Sequence, residues 1–337
     1  MKQLFWVFVL ILLACNDPKE AEAIQFFQRG NFHFQKKEYE KAIYFFNEAI
    51  LKKEDFTDAY NNRGLTKYRM GNLKDALTDF EQALTIEPSY TEALYNRGQV
   101  FFDLKDERCL ADFEKVALTF KDSSYVFAAL GNAKAFLNDF SGAYSAYGKA
   151  LQLNPANDKA LVDRGTLYFS EKKYKEAKAD FEKALQANPI QAYGLNNMSM
   201  MMGREGKYTQ ALSYVNKAIE QIPSSAVFKN NKGYFLLMLN RLDDAKIEIE
   251  SSLRLDDTNG WALRNRGIYY LKTKQTALAL ADLLNAEKKD PGIDQLYYYI
   301  GMAYQANQQK AQACQAFERG RQLGDVDASK MMATYCK

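Results

Sequence analysis

Side chains that could carry out acid–base or metal chemistry are few in this sequence. The chain of 337 residues has one histidine, His33, which excludes the two-histidine zinc motifs and leaves no serine or cysteine nucleophile with an evident base. Carboxylates are scattered along the chain, as solvated helix faces require, and no pair of them stands out as acid and base. We therefore predict a protein that is not an enzyme and has no cofactor, metal or catalytic residue.

One short run of oxygen-bearing side chains looks faintly like a calcium-binding loop. Residues 256–260 read DDTNG. A complete loop would put its first ligand at Leu255 and its closing glutamate at Arg266, and neither side chain can serve as that ligand. We interpret the run as a turn between two helices.

Charge and aromatic content restrict the class of partner. The chain has 45 basic and 42 acidic residues, a formal charge of +3, and the charges are evenly spread. No basic stripe of the kind that follows phosphates is present, so a nucleic acid partner is not expected. The 22 Phe and 22 Tyr could suggest stacking on sugars or bases, but most of them recur at packing positions of an internal repeat.

That repeat is clearest in residues 158–191. Ala177, Phe181 and Ala184 lie at i, i+4 and i+7 on one face of a helix, and Pro189 ends it. The preceding helix has Gly165, where a neighbouring helix can approach closely. Steps of about 34 residues reproduce the glycine position nine times, at Gly30, Gly64, Gly98, Gly131, Gly165, Ser199, Gly233, Gly267 and Gly301. One step is a residue short, and the spacing of the aromatic residues places this deletion in the turn before Cys109.

The pattern resembles the tetratricopeptide repeat, which has a large, a small and an aromatic residue, then Ala, an aromatic residue and Pro over 34 residues. The resemblance implies an all-α fold, a right-handed α-solenoid of about nine helix-turn-helix repeats over 23–327. Residues 328–337 are predicted to form an amphipathic capping helix. His33 occupies an aromatic position of its repeat, so we interpret it as a packing residue.

Basic residues precede the glycine position in several repeats, and each of these repeats has an acid on its second helix. The pairs are Arg63 with Asp79, Arg97 with Asp112, Arg164 with Asp180, Lys232 with Glu248, and Arg266 with Asp282. Both partners are lost together in most other repeats, although Arg29 with Phe45 breaks the rule. We interpret the pattern as ion pairs within repeats. The alternative is a basic surface for a ligand.

The N-terminus resembles a bacterial lipoprotein signal peptide. Residues 1–14 have a basic start and an apolar run too short to span a bilayer, and Leu12 to Cys15 resemble the lipobox, in which cleavage precedes an acylated cysteine. The resemblance implies lipidation at Cys15, a lipidated flexible tether over 15–22, and location in the bacterial cell envelope as a membrane-anchored lipoprotein. The alternative is an ordinary signal peptide with a chance cysteine.

Two other cysteines lie close to the C-terminus. Cys314 is on the last repeat's second helix, and Cys336 ends the capping helix that should pack against it. In an exported protein a structural disulfide between them is expected. The alternative is two unpaired thiols. Cys109 occupies an alanine position and is expected to be a buried free thiol.

The resemblance also implies a binding surface. In tetratricopeptide arrays, first-helix residues six and three before the glycine and one, four and five after it line the concave groove. The candidate groove residues are Asp58, Asn61, Tyr68, Arg69, Glu92, Tyr95, Gln99, Phe102, Tyr193, Asn196, Arg204, Asn230, Tyr234, Trp261, Arg264, Lys272, Tyr298 and Gln305. Alternatively, Tyr68, Tyr95 and Tyr193 only shield helix packing, and the interface lies on the convex face or an edge.

Aromatic and amide side chains together suit an extended peptide, whose backbone needs hydrogen bonds and whose side chains need apolar pockets. The predicted function is therefore a non-enzymatic protein–protein interaction scaffold that binds a peptide or partner protein, with membrane contact through the N-terminal lipid. The alternative is a carbohydrate- or cell-wall-associated binding module. An exposed cluster of aromatic residues with Asn and Gln in the groove would favour that second class.

Overall fold

The computed structural model describes residues 18–337, and all regular structure in that range is α-helical. The helices are α1 (Pro18–Gln35), α2 (Tyr39–Lys52), α3 (Thr57–Arg69), α4 (Leu73–Ile86), α5 (Thr91–Asp103), α6 (Cys109–Thr119), α7 (Ser124–Phe136), α8 (Phe140–Leu153), α9 (Asp158–Ser170), α10 (Tyr174–Ala187), α11 (Ala192–Arg204), α12 (Tyr208–Gln221), α13 (Ala226–Met238), α14 (Leu242–Leu255), α15 (Gly260–Lys272), α16 (Thr276–Lys289), α17 (Leu296–Ala306), α18 (Lys310–Gln322) and α19 (Val326–Tyr335). They form nine helix pairs and one final helix, as predicted.

The chain divides into two compact units, one ending at Asp163 and one beginning at Arg164. The first contains the pairs α1–α2 to α7–α8, and the second contains the pairs from α11–α12 to α17–α18 together with α10 and α19. Within each unit the helices of a pair pack together, and the second helix of a pair also contacts the first helix of the next. This order of contacts is that of a repeat array, in which each repeat buries its apolar face against its neighbours.

In six of the nine repeats a glycine of the first helix faces a buried ring of the second helix, whereas Gly233 faces Ile249 and Gly267 faces Leu283. In α4, Ala76, Phe80 and Ala83 are fully buried, because their spacing puts them on one face of the helix. A β-carbon on Gly64 of α3 would lie 2.8 Å from Cε1 of Phe80, so only glycine lets the two helices approach this closely. The same arrangement recurs up to Gly301 and Phe317, which confirms the predicted role of the glycine.

The predicted ion pairs within repeats are present. The guanidinium groups of Arg63, Arg97, Arg164 and Arg266 each donate two hydrogen bonds to the two oxygens of one aspartate, and Lys232 Nζ lies 2.7 Å from Glu248 Oε1. The aspartates are nearly buried while the arginines reach the surface. The pairs thus join the two helices of a repeat, and the alternative of a basic ligand surface does not apply to these arginines.

Every turn between paired helices contains a residue with positive φ. Glycine occupies that position at Gly71 and Gly206, and asparagine occupies it at Asn138 and Asn240, and both residue types accept this backbone conformation readily. The remaining turns use residues without that preference, namely Lys37, Lys105, Lys172, Lys274 and Gln308. In these turns the helix pairing determines the backbone conformation, against the local preference of the side chain.

The single histidine and the calcium-like run both have structural roles. His33 stacks on Phe45, with ring centroids 5.1 Å apart, and its Nδ1 hydrogen bonds with Glu38. This bond, followed by one from Lys41, holds the pKa of Glu38 below its usual range. At residues 256–260, Asp256 Oδ1 accepts hydrogen bonds from the backbone nitrogen and hydroxyl of Thr258, which is the geometry of a turn between α14 and α15.

The prediction of a flexible tether up to residue 22 is wrong for its second half. Helix α1 begins at Pro18, because proline is well suited to a first helical turn and because two acids near its start, Glu20 and Glu22, pair with lysines at the C-terminal end of α2. Lys53 Nζ lies 2.5 Å from Glu20 Oε1, and Lys52 pairs with Glu22 in the same way. Cys15, the predicted lipidation site, lies outside the described residues.

The C-terminal helix is α19, which begins two residues before the predicted boundary at 328. Asp325 accounts for this earlier start, because its Oδ1 accepts hydrogen bonds from the backbone nitrogens of Asp327 and Ala328 and so caps the helix. The structure contains a disulfide between Cys314 and Cys336, which links α18 to the end of α19. Cys109 is free and buried, and burial raises the pKa of its thiol.

Two further observations concern residues 18–337. None of the helices there is both long and apolar enough to cross a lipid bilayer. That part of the chain also has no group of three or more His, Cys, Asp and Glu side chains placed to hold a metal ion.

Candidate functional site

In the first unit, the predicted groove tyrosines lie half-buried between repeats. The hydroxyl of Tyr68 donates a hydrogen bond of 2.7 Å to Asp103 Oδ2, and burial together with this bond raises the pKa of Tyr68 to about 12. The ring of Tyr95 meets that of Phe113 edge-on at 5.8 Å. Both tyrosines therefore contribute to packing in the first unit.

The amides of the first unit form a hydrogen-bonded chain. Asn61 is 4% exposed, and its Oδ1 accepts a hydrogen bond of 2.9 Å from Asn96. It also donates to Asn62, which in turn donates to Asn31. Asn61 thus connects neighbouring repeats. Of the other candidates in this unit, Asp58, Arg69 and Glu92 are exposed, whereas Gln99 and Phe102 are half-buried.

The second unit has a longer chain of this kind, which we call the amide row. It consists of Thr166, Asn197, Asn196, Asn231, Asn230 and Asn265, in that order, on α9, α11, α13 and α15. Successive members are joined by hydrogen bonds of 2.7 to 3.5 Å. A carboxamide has two N–H groups and two acceptor lone pairs. Each inner member uses one donor and one acceptor within the row, so one N–H group and one acceptor lone pair of each are not used by the other members.

A cavity of about 260 Å³ lies over the amide row. Apolar side chains form much of its wall, and Val227 and Trp261 at its edge are 54% and 38% exposed. The lining residues are Thr166, Phe169, Phe181, Asn196, Asn197, Met200, Val227, Asn230, Asn231, Asn259 and Trp261. An apolar cavity with a few hydrogen-bonding groups is the usual form of a ligand site.

The predicted groove residues Asn196, Asn230 and Trp261 are thus brought together at this cavity. Arg264 is buried beside it, with its guanidinium carbon 4.9 Å from the centroid of the Trp261 ring and 5.1 Å from that of Tyr234.

The other candidates of the second unit lie elsewhere on its first helices. The exposed Tyr193 meets Phe228 edge-on at 5.6 Å, and the Arg204 guanidinium lies 3.7 Å from the centroid of the Tyr174 ring. Lys272 is exposed. Towards the C-terminus, Tyr298 packs against Phe317, and Gln305 is half-buried, with an Oε1 that has no hydrogen-bond partner in the described part of the chain.

The groove positions predicted from the sequence missed half of the amide row, because this rule omits the position two before the glycine. Asn197, Asn231 and Asn265 occupy that position relative to Ser199, Gly233 and Gly267. A signal was available, since the dipeptide Asn-Asn occurs at 61–62, 196–197 and 230–231. Phe169 and Val227 do satisfy the rule, because they lie four after Gly165 and six before Gly233, but they were not among the candidates.

Solved structures with similar folds are all-helical repeat proteins. The Cut9-Hcn1 hetero-tetramer of APC/C aligns over 98% of this chain and 80% of its own, with a TM-score of 0.65 and 13% identity. Yeast Tom70 aligns over 94% of both chains with a TM-score of 0.43 and 16% identity. YrrB, described as a TPR protein with an unusual peptide-binding site, aligns over 58% of this chain and 97% of its own, with a TM-score of 0.43 and 24% identity. At these identities, the Cut9 alignment supports the fold alone.

No curated protein matches the sequence. Family models described as Tetratricopeptide repeat match residues 57–90, 158–190 and 295–319, and one described as TPR repeat matches residues 30–71. These segments lie on helix pairs in both units and include the positions at which a glycine meets a buried ring. The chain therefore contains tetratricopeptide repeats, within an all-helical repeat array.

Proposed function

We propose that this protein is a non-enzymatic protein-interaction scaffold, and that its second unit binds an extended segment of a partner protein. One observation carries the proposal: an apolar cavity lies over the amide row, whose four inner asparagines each use one donor and one acceptor within the row. An extended peptide needs both, because its backbone must exchange hydrogen bonds while a side chain is buried. The presence of tetratricopeptide repeats supports this, since repeats of this kind commonly bind proteins.

The apolar wall of the cavity provides the first test. Replacing both Met200 and Val227 by glutamine makes the cavity wall polar. Glutamine is close to methionine in size, so the shape of the cavity at position 200 is largely kept. We expect the affinity for peptides selected from a phage library of random dodecapeptides to fall at least tenfold, which corresponds to about 1.4 kcal/mol. Helical content and the melting temperature should change little, because Val227 is exposed and Met200 is half-buried.

A matched control variant replaces Ile247 and Leu278 by glutamine. Both are exposed apolar residues of the second unit, on α14 and α16, and neither lines the cavity. The control should bind the selected peptides as the parent chain does. Equal affinity of the cavity variant and the parent, measured by fluorescence anisotropy, would exclude this cavity as the binding site.

A carbohydrate or cell-wall ligand is a second candidate, because the exposed Trp261 shares a cavity with several asparagines. Sugar rings stack on tryptophan, and amides bind hydroxyl groups. We rank it second because Phe169, Met200 and Val227 would face those hydroxyl groups with apolar surface, and burying unpaired hydroxyl groups is unfavourable. Titration with chitohexaose distinguishes the two, since saturable binding that the cavity variant loses would favour the carbohydrate.

We further propose that the protein is lipid-anchored at Cys15 in a bacterial cell envelope, with the repeats standing off the membrane. The basis is the boundary Leu12 to Cys15 after a short apolar run. In the native host, Cys15→Ser should abolish incorporation of labelled palmitate or leave the precursor uncut. Cys109→Ala, which restores the residue type of the other repeats at that position, should label normally. Undiminished labelling of Cys15→Ser would refute the assignment.

A further inference from the structure

The first helices of the second unit carry cations that have no acidic partner. Arg204, Arg264 and Lys272 lie at predicted groove positions, and none forms an ion pair with any residue from 18 to 337. Four arginines that precede repeat glycines differ, since Arg63, Arg97, Arg164 and Arg266 are each bound to an aspartate. From α11 to α15 the positions that define the groove include no Asp or Glu, and the acidic side chain that acts on Arg264 is that of Asp294, which lies before α17.

Among these cations, Arg264 is expected to have the strongest electrostatic effect because it is buried. Its side chain is 4% exposed, and three of its five N–H groups are used. Nε and Nη2 donate to Asn265 Oδ1 at 3.1 and 2.7 Å, and Nη1 donates to the carbonyl oxygen of Asp294 at 2.8 Å. These acceptors are neutral, and the Asp294 carboxylate forms no ion pair with Arg264. Burial accordingly lowers the pKa of Arg264.

The charge of Arg264 lies beside the cavity. Its guanidinium packs on the ring of Trp261, which lines the cavity, and it bonds Asn265, the last member of the amide row. A buried charge is screened much less than an exposed one. A carboxylate at this edge of the cavity would therefore be attracted, and an amine would be repelled.

We propose that the segment bound over this cavity has an acidic side chain beside its apolar anchor, and that Arg264 supplies the charge that selects it. The inference rests on the proposed function and specifies its ligand as an acidic peptide. Each part of the site has one role: the cavity holds the anchor, the amide row binds the backbone, and the unpaired guanidinium favours Asp or Glu.

The test uses synthetic octapeptides with acetylated and amidated ends, so that no terminal carboxylate contributes. Each has a central Phe flanked on both sides by Glu, by Gln or by Lys, and a fourth has a central Ala flanked by Glu. Binding to the full chain is measured by fluorescence anisotropy. We expect the Phe peptide with Glu to bind about tenfold more tightly than the one with Gln, and the one with Lys to bind most weakly.

Variants of the protein then test whether Arg264 causes the preference for the Glu peptide over the Gln peptide. In Arg264→Gln the Glu and Gln peptides should bind alike, whereas Arg264→Lys should restore part of the preference. Arg254→Gln makes the same charge change at an exposed position on α14 and should keep the preference in full. If Arg264→Gln does not fold, the double variant Arg204→Gln with Lys272→Gln decides. Retention of the preference in that double variant supports Arg264, and its loss assigns the preference to the exposed cations and overturns the proposal.

The outcomes separate the two proposals. If the Phe peptides bind more tightly than the Ala peptide but Glu and Gln are equivalent, the inference about acidity is wrong and the proposed binding of a peptide stands. If a central Phe gives no advantage over Ala, the cavity is not an anchor site, and both proposals fail.

Discussion

Replacing Arg97 by alanine is expected to destabilise the folded protein by about 3 kcal/mol, because it leaves a buried carboxylate without its cation. Arg97 Nε and Nη2 each donate a hydrogen bond of 2.8 Å to Asp112, whose side chain is 4% exposed. Asp112→Ala should cost less, since the Arg97 guanidinium can turn to solvent. Urea unfolding followed by circular dichroism measures both losses, and hydrogen exchange in α5 and α6 shows whether the loss is local.

Arg108 in the same repeat provides the control. It also pairs with an aspartate, at 2.6 Å from Asp106 Oδ2, and its guanidinium also lies over the ring of Phe101, but its side chain is 64% exposed. Arg108→Ala should therefore cost much less than Arg97→Ala, because solvent screens an exposed ion pair. The double variant lacking both Arg97 and Asp112 should lose less than the sum of the single losses. Additive losses would mean that the two side chains do not stabilise each other.

Gly131→Ala is expected to cost about 2 kcal/mol, because its new β-carbon would lie 2.6 Å from Cε1 of Tyr147. The Tyr147 ring has little freedom to move. It is 2% exposed, and its hydroxyl donates a hydrogen bond of 2.6 Å to Asn132 Oδ1. The two helices α7 and α8 must therefore separate or the ring must leave its preferred orientation. Thermal and urea unfolding of the variant measure the loss.

Gly148→Ala, one residue after the ring, separates this effect from helix propensity. A β-carbon on Gly148 would have nothing within 4 Å, and alanine favours the helical conformation over glycine by roughly 0.5 to 1 kcal/mol. The control should therefore be slightly more stable than the parent. Similar effects of the two substitutions would show that the approach at Gly131 does not limit the packing of this repeat.

The fold was predictable because its determinants are local and recur. The sequence separation from Gly64 to Phe80 recurs in other repeats, as from Gly165 to Phe181, so one helix pair predicts the others. The ion pairs were predictable for a related reason. Residues such as Arg97 and Asp112 change together between repeats, and joint loss indicates contact. The start of α1 was not predictable, because it depends on Lys52 and Lys53 reaching Glu22 and Glu20 from the next helix.

The candidate site was predictable only in part. The rule for groove positions found Asn196, Asn230 and Trp261, but exposure at those positions differs between repeats. Asn61 is buried among other amides, whereas Tyr193 is 58% exposed. The cavity itself depends on the volumes of side chains from several helices, including Phe169 and Val227. No single repeat contains that information, so a rule applied one repeat at a time could not find the cavity.

The left-handed turns have a consequence for how the stability of this chain can be adjusted. Lys37, Lys105, Lys172, Lys274 and Gln308 adopt a backbone conformation that costs an ordinary residue roughly 1 to 2 kcal/mol and glycine almost nothing. All five lie in turns, and none of them lines the cavity or belongs to the amide row. Substituting glycine at these positions, one at a time, would raise the melting temperature in small steps while leaving the binding surface unchanged. The melting temperature of the protein can thus be adjusted at these turns, one substitution at a time, without replacing any residue that binds the ligand.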